Sequence, residues 1–371
     1  MLFPFPADKD FLVGLSPMDD ITDMPFRELC KEFGADLLIT EFIASEALNR
    51  DAEKSLRKMR FSEPQRPIGI QIFGADEDEL LRCLEVVEQN EPDFIDINWG
   101  CPVRKVAGKG AGSGILQDIP KMLRITESIV KRASLPVTVK TRLAYNADSM
   151  HVTDFAEALQ DTGIAALSIH GRTKTQMYSG IADWTMIGEV KNNPRIHIPI
   201  FGNGDITTAA QALESKRRYG VDGILIGRGA IGNPWIFRQC QQLFHGEPCG
   251  GREGSMLACL PETEQDGRSQ HYHEVPVAER VDVCRRHLRM AVEFNRTKER
   301  EKSELAGSSE PEREGVAKGE RTAIFEMRKH YGSYFKGLYN FKPYRLALVG
   351  TTTLADTEQV LDQIKEHYLD A

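Results

Sequence analysis

Between residues 11 and 244 the chain alternates, eight times over, a short apolar run with an amphipathic stretch. The runs are Phe11–Leu15, Asp36–Thr40, Ile68–Ile72, Phe94–Asn98, Val137–Lys140, Ala166–Ile169, Ile198–Phe201 and Gly223–Ile226. Each is too continuously apolar for a strand with one wet face, so each reads as a parallel strand covered on both sides. Helical spacing fills the gaps over Pro25–Phe33, Ser45–Arg57, Asp78–Glu88, Pro120–Lys131, Val152–Asp161, Trp184–Val190, Thr208–Lys216 and Trp235–Leu243. Pro25 and Pro120 suit first-turn positions, and Gly34 and Gly163 suit helix stops. Eight strand–helix pairs in this length predict an α/β fold, one closed (β/α)8 TIM barrel. A doubly wound open sheet would want Gly-x-Gly-x-x-Gly after its first strand. That turn here reads Ser16-Pro17-Met18-Asp19-Asp20, without a glycine.

The pattern changes after Phe244. Residues 246–275 hold glycines, prolines, two cysteines and scattered acids with no period, and read as a flexible connection after a barrel over 1–245. Residues 276–371 return to helical spacing and predict a small C-terminal all-helical domain. Its Gly/Ser/Glu-rich stretch near 298–318 reads as a disordered insert.

No apolar run reaches the roughly 18 residues that span a bilayer. The start, MLFPFPADKD, lacks the basic and apolar regions of a secretory signal, so a cytoplasmic protein without membrane association is expected. The seven cysteines, at 30, 83, 101, 240, 249, 259 and 284, show no Cys-x2-Cys pair, which predicts reduced thiols and no metal site. A net charge of −8 argues against nucleic-acid binding by bulk charge but leaves room for a local basic patch. A monomer is expected.

In a barrel of this kind the reactive groups sit where strands end and βα loops begin. Those ends read Ser16-Pro17-Met18, Glu41, Gln71, Asn98-Trp99-Gly100-Cys101-Pro102, Lys140-Thr141-Arg142, His170-Gly171-Arg172, Asn203-Gly204-Asp205 and Gly227-Arg228-Gly229. The last two, after strands seven and eight, free the backbone to approach a phosphate, and Arg228 adds a cation. Gln71 offers both an amide donor and an acceptor, Lys140 a charge, and His170 ends the next strand. Together they suit the pyrimidine edge of a flavin. Cys101, between Gly100 and Pro102 on a Gly-rich loop, can reach a substrate. A cysteine of ordinary pKa stays mostly protonated at neutral pH, which suits a general acid.

On these residues the chain closely resembles the tRNA-dihydrouridine synthases. The stretches that carry the resemblance are Asp96-Ile97-Asn98-Trp99-Gly100-Cys101-Pro102, Lys105-Val106, Lys109-Gly110-Ala111-Gly112, Ile169-His170-Gly171-Arg172-Thr173, Gly202-Asn203-Gly204-Asp205 and Ile226-Gly227-Arg228. The resemblance implies bound FMN, NADPH as reductant, and tRNA uridines as substrate. It places Pro17, Met18, Asp19, Gln71, Lys140, His170, Asn203, Gly204, Asp205, Gly227 and Arg228 around FMN. Cys101 would protonate C5 of a flipped-out uracil while hydride reaches C6, with Asn98 at the uracil edge and Lys105 and Arg142 near substrate carbonyls or phosphates. The family usually has Met where this chain has Trp99, and Ala-Gly where it has Asp19-Asp20.

From 321 to 345, Arg321, Arg328, Lys329, Lys336, Lys342 and Arg345 face one acid, Glu326, with aromatics interleaved. Arg321, Arg328 and Lys336 are the expected phosphate contacts for tRNA. Two alternatives stay open: an FMN barrel acting on a free small molecule, of dihydroorotate dehydrogenase type, and a non-catalytic tRNA-binding paralogue.

Overall fold

A computed structural model describes residues 9–50, 53–245, 275–305 and 312–368. The chain divides into two compact units, Met1–Ala230 with Trp235–Glu253, and Ile231–Pro234 with Gly254–Ala371.

The first unit is the barrel. Its strands are β1 (Leu12–Leu15), β2 (Leu38–Ile39), β3 (Ile43–Ala44), β4 (Ile68–Phe73), β5 (Phe94–Trp99), β6 (Val137–Arg142), β7 (Ala166–His170), β8 (Ile200–Asn203) and β9 (Gly223–Ile226). All pairings are parallel, in the order β1-β9-β8-β7-β6-β5-β4-β2, with β3 also on β4. A bridge from Gly14 to Leu37, just ahead of β2, closes the ring. The expected eight strands are all present. The extra piece, β3, is two residues long and carries no periodic signal of its own. The expected helix over Ser45–Arg57 is two shorter ones, Ser45–Leu48 and Glu53–Lys58. The first-turn prolines fall as expected, Pro25 behind the Asp23 cap and Pro120 behind Asp118, whose carboxylates accept from Phe26 and Lys121 N–H groups.

One end of the barrel is filled. Leu12, Leu37, Ile39, Phe94, Ala166, Phe201 and Leu225 form a dry cluster there. The two rings fit because neighbouring strands offer glycine: a Cβ on Gly69 would lie 2.2 Å from the Phe94 ring, and one on Gly223 2.4 Å from Phe201. Gly69→Ala should therefore cost about 1–3 kcal/mol by overpacking, read as a lower denaturant midpoint at unchanged slope. A midpoint equal to wild type would show that the ring can move aside.

The second unit contains helices Val277–Leu305, Glu312–Tyr334, Lys342–Gly350 and Leu354–His367. The disordered insert expected near 298–318 is corrected over its described part: 298–305 end one helix and 312–318 begin the next. What holds them is pairing between the helices. Arg296 pairs with Glu320 at 2.5 Å and Lys318 with Glu299 at 3.0 Å, and Gly319 meets the Asn295 backbone so closely that a Cβ would lie 2.6 Å from its carbonyl oxygen. The connection expected over 246–275 lies outside the described residues but for Val275. Among the described residues no helix is long and apolar enough to cross a membrane.

Candidate active site

Strand register brings the polar residues of the barrel's open end together. Gln71 of β4 lies beside Asp96 of β5, and Asp96 beside Thr138 of β6; Asn98 lies beside Lys140, and Arg142 beside His170, which faces Asn203. Alternation along a strand puts Asp96 and Asn98 on one face. Trp99, between Asn98 and Gly100, turns the other way: it is fully buried and donates to Thr126 of helix Ile119–Arg132 at 3.1 Å. The Trp-for-Met departure thus sits in the strand–helix layer and not in the site.

A continuous hydrogen-bond chain runs across this layer. Gln71 Nε2 donates to Asp96 Oδ2 at 2.5 Å, and Thr138 Oγ1 donates to Asp96 Oδ1 at 2.5 Å. Asn98 Nδ2 donates to Gln71 Oε1 at 2.8 Å, and Asn98 Oδ1 accepts the Gly100 and Cys101 N–H groups at 2.9 and 2.8 Å. Burial raises Asp96 to about 6, against the pull of its hydrogen bonds and Lys140. Asn98, expected at the substrate edge, gives its carboxamide oxygen to the Cys101 loop and one N–H to Gln71, keeping one N–H.

Lys140 is buried, and its ammonium donates to Asn203 Oδ1 at 3.1 Å; Asn203 in turn donates to the Leu225 carbonyl at 2.7 Å. Burial, reinforced by Arg142 and opposed by Asp96, lowers Lys140 to about 8. His170 is also buried and is held neutral across the working range, first by desolvation and then by the Lys140, Arg142, Arg172 and Arg228 charges. Cys101 is 6% exposed, and burial raises its thiol's pKa against the opposing hydrogen bond from the Val103 backbone, with Asp19 adding to the rise, so it carries its proton at neutral pH.

The expected phosphate end forms where β8 and β9 finish. Gly204 has φ +130°, and a Cβ there would lie 2.6 Å from Ala182, so only glycine fits. Asp205 accepts from Arg172 at 2.7 Å, from the Ala182 N–H at 2.8 Å and from Arg228 at 3.2 Å. The Arg228 side chain is 53% exposed, leaving donors for a ligand. A Cβ on Gly227 would meet nothing nearer than Met18 Sδ at 3.5 Å, so the Met18 and Gly227 loops meet without crowding.

The exposed carboxylate of Asp19 pairs with Lys58, which also reaches Glu41 at 3.4 Å, and it acts electrostatically on the Cys101 thiol. Asp20 takes φ +59°, the left-handed conformation that explains glycine at this place in the resembled family, and its N–H donates to Glu41 at 2.7 Å. Asp19, Asp20 and Glu41 bring three carboxylates within 4.8 Å of one another, and the Lys58 ammonium already supplies their counter-charge.

Arg142 is buried and braces loops, donating to the carbonyls of Gly100 at 2.8 Å, Thr173 at 3.0 Å and Met177 at 2.9 Å. Lys105 is exposed on the short helix Arg104–Ala107 behind Cys101. Pro17 is half-buried at the end of β1. Two participants have no role that the sequence alone suggests. Arg172 is buried and ties Asp205 to the Ser179 and Gly180 carbonyls; Asp96 is the start of the amide chain. Both lie inside the stretches that carry the family resemblance, Asp96 before the end of its strand and Arg172 two residues past one, and only the folded structure reveals what they hold.

Arg321, Arg328 and Lys336 belong to the second unit. Arg321 and Lys336 are exposed. Arg328 is half-buried; it lies 4.1 Å from the Phe325 ring centroid and donates to the Thr351 carbonyl at 3.3 Å, so part of its role is to hold that unit together.

A family model described as "Dihydrouridine synthase (Dus)" matches residues 14–306. A "Probable tRNA-dihydrouridine synthase" of Rickettsia conorii is 30% identical over 95% of this chain and 92% of that protein. One of Rhizobium leguminosarum is 33% identical over 97% and 95%. A "tRNA-dihydrouridine synthase B" of Xanthomonas campestris is 39% identical over 61% of this chain and 67% of its own length. With the barrel, the Asn98–Cys101 loop and a match of this extent in hand, the chain belongs to the dihydrouridine synthase family.

Proposed function

We propose that this protein reduces uridines of tRNA to 5,6-dihydrouridine, holding FMN at the open end of the barrel and taking its electrons from NADPH. The observation that carries the reading is Lys140: a buried ammonium with one hydrogen-bond acceptor, near enough to the Cys101 thiol for the two to act on each other electrostatically. A buried cation so sparsely satisfied is costly unless a ligand completes its shell. The donor set fits a flavin. Lys140 has two N–H groups to give, and Gln71 retains one N–H and one lone pair after serving Asp96 and Asn98. Gly204, Gly227 and Arg228 fit the phosphate tail.

FMN bound there supplies the hydride equivalent that uracil C6 receives. The rest is work for this chain. Lys140 offers positive charge where an electron-rich ring edge needs it. His170, neutral, contributes a dipole or hydrogen bond without repelling that lysine. Cys101 delivers its proton to C5 of the uracil, and its raised pKa keeps that proton in place until carbon basicity develops. Arg142 holds the loops after β5 and β7, and Lys105, Arg321 and Lys336 offer exposed charge to tRNA phosphates.

The test is anaerobic. The purified protein's flavin is reduced with NADPH, and tRNA lacking dihydrouridine is added. Rapid flavin reoxidation with dihydrouridine in the recovered RNA is expected. A reduced flavin indifferent to tRNA but reoxidised by free pyrimidines would overturn the substrate, and protein without flavin would overturn the cofactor.

A further inference from the structure

The amide chain beneath the site has a direction. At one end Asp96, when ionised, can only accept; at the other end the Gly100 and Cys101 N–H groups can only donate. Between them lie two carboxamides, Gln71 and Asn98, each of which could be reversed. With Asp96 accepting, Gln71 must turn its NH2 toward it, so Oε1 faces Asn98. Asn98 must then present Nδ2 to Gln71, which leaves Oδ1 for the two backbone N–H groups. Reversing one amide sets donor against donor, or acceptor against acceptor, at the next link. Gln71, Asp96 and Asn98 are all buried, so water cannot absorb the mismatch cheaply.

We propose that Asp96 is a positioning residue: as the acceptor that closes the chain opposite the Gly100 and Cys101 N–H groups, it holds Gln71 and through it Asn98, which clasps the loop that holds Cys101 in reach of the substrate. Asp96 touches neither substrate nor cofactor in this scheme. The consequence for dihydrouridine formation rests on the function proposed above; the clasp itself does not.

The experiment measures Cys101 alkylation by iodoacetamide in flavin-free protein, followed on the Cys101 peptide by mass spectrometry. In wild type the clasp keeps this slow, since Cys101 is 6% exposed. Asp96→Asn replaces a group that only accepts with one that also donates, so the chain is held from the loop end alone, and Cys101 should alkylate at least about tenfold faster, the ratio for a link of about 1.4 kcal/mol. Asp96→Asn with Gln71→Glu restores the direction, because an amide at 96 donates to a carboxylate at 71 that still accepts from Asn98. Alkylation should return to the wild-type rate. Thr138→Val removes the other hydrogen bond on Asp96 but leaves the direction intact, and should leave alkylation slow.

Wild-type alkylation in a folded Asp96→Asn would overturn the proposal, as would equal acceleration by Thr138→Val, which would mean loosening and not direction. If Asp96→Asn does not fold, the double variant decides. Slow alkylation in it supports the clasp; fast alkylation or failure to fold overturns it. A second readout separates the two proposals. With flavin and tRNA present, Asp96→Asn should lower kcat for dihydrouridine at least about tenfold while the NADPH half-reaction persists. Were wild type to form no dihydrouridine, the proposed function would fall and the alkylation result would still stand.

Discussion

Replacing Cys101 by alanine is expected to abolish dihydrouridine formation, by at least about a hundredfold to ten-thousandfold, while the protein still carries its flavin and still reduces it with NADPH. The range is what a positioned general acid ordinarily contributes. The asymmetry comes from where the thiol sits. Its side chain makes no hydrogen bond to Gln71, Lys140 or Asn203, and although alanine loses the thiol's bond to the Val103 backbone, it keeps Cys101 N–H to Asn98 and Cys101 C=O to Ser113. The measurement pairs two stopped-flow half-reactions, flavin bleaching by NADPH and its recovery with tRNA. Unimpaired recovery in the variant would remove the thiol from the proton's path.

Lys140→Met is expected to do two opposite things. Flavin affinity should fall by about thirtyfold to a few thousandfold, the cost of about 2–5 kcal/mol when one partner of a buried charged hydrogen bond is truncated. The flavin-free protein should become more stable at neutral pH. In the folded chain Lys140 is lowered from 10.5 to about 8, so between those values the unfolded chain binds more protons and stability rises with pH. Below about 8 the whole burial penalty is present, on the order of a few kcal/mol. Methionine fills similar space without that penalty. Melting temperatures of flavin-free wild type and variant should therefore differ at pH 7, the variant higher, and converge toward pH 10. A variant less stable at pH 7 would show that Lys140 is satisfied by the protein alone.

The fold was legible because its strands are buried on both faces and write themselves as unbroken apolar runs; Val137–Lys140 and Gly223–Ile226 needed no periodicity to be found. Legibility failed where order comes from partners distant in sequence. Residues 312–318 look like a solvated linker, yet Gly319 is there to let two helices touch and Lys318 pairs across them. Ile43–Ala44 is a strand only because β4 lies beside it. Within the site, the polar strand ends could be read one at a time. The direction of hydrogen bonding among Asp96, Gln71 and Asn98 could not, since it depends on which residues of adjacent strands stand opposite each other. The bracing role of Arg142 was hidden in the same way: a sequence shows a cation at a strand end, but not the three carbonyls that occupy it.

The packed rings of Phe94 and Phe201 have a meaning in time as well as in space. They give the barrel a floor, so nothing can be passed through it from one end to the other. Under the proposed function the reductant and the flipped nucleobase would both enter by the one remaining end, each in its turn. Such a vessel works by turns: one visitor loads it and leaves before the next can enter. Double-reciprocal plots at several tRNA concentrations would then run parallel, a kinetic signature written by two aromatic side chains far from the chemistry.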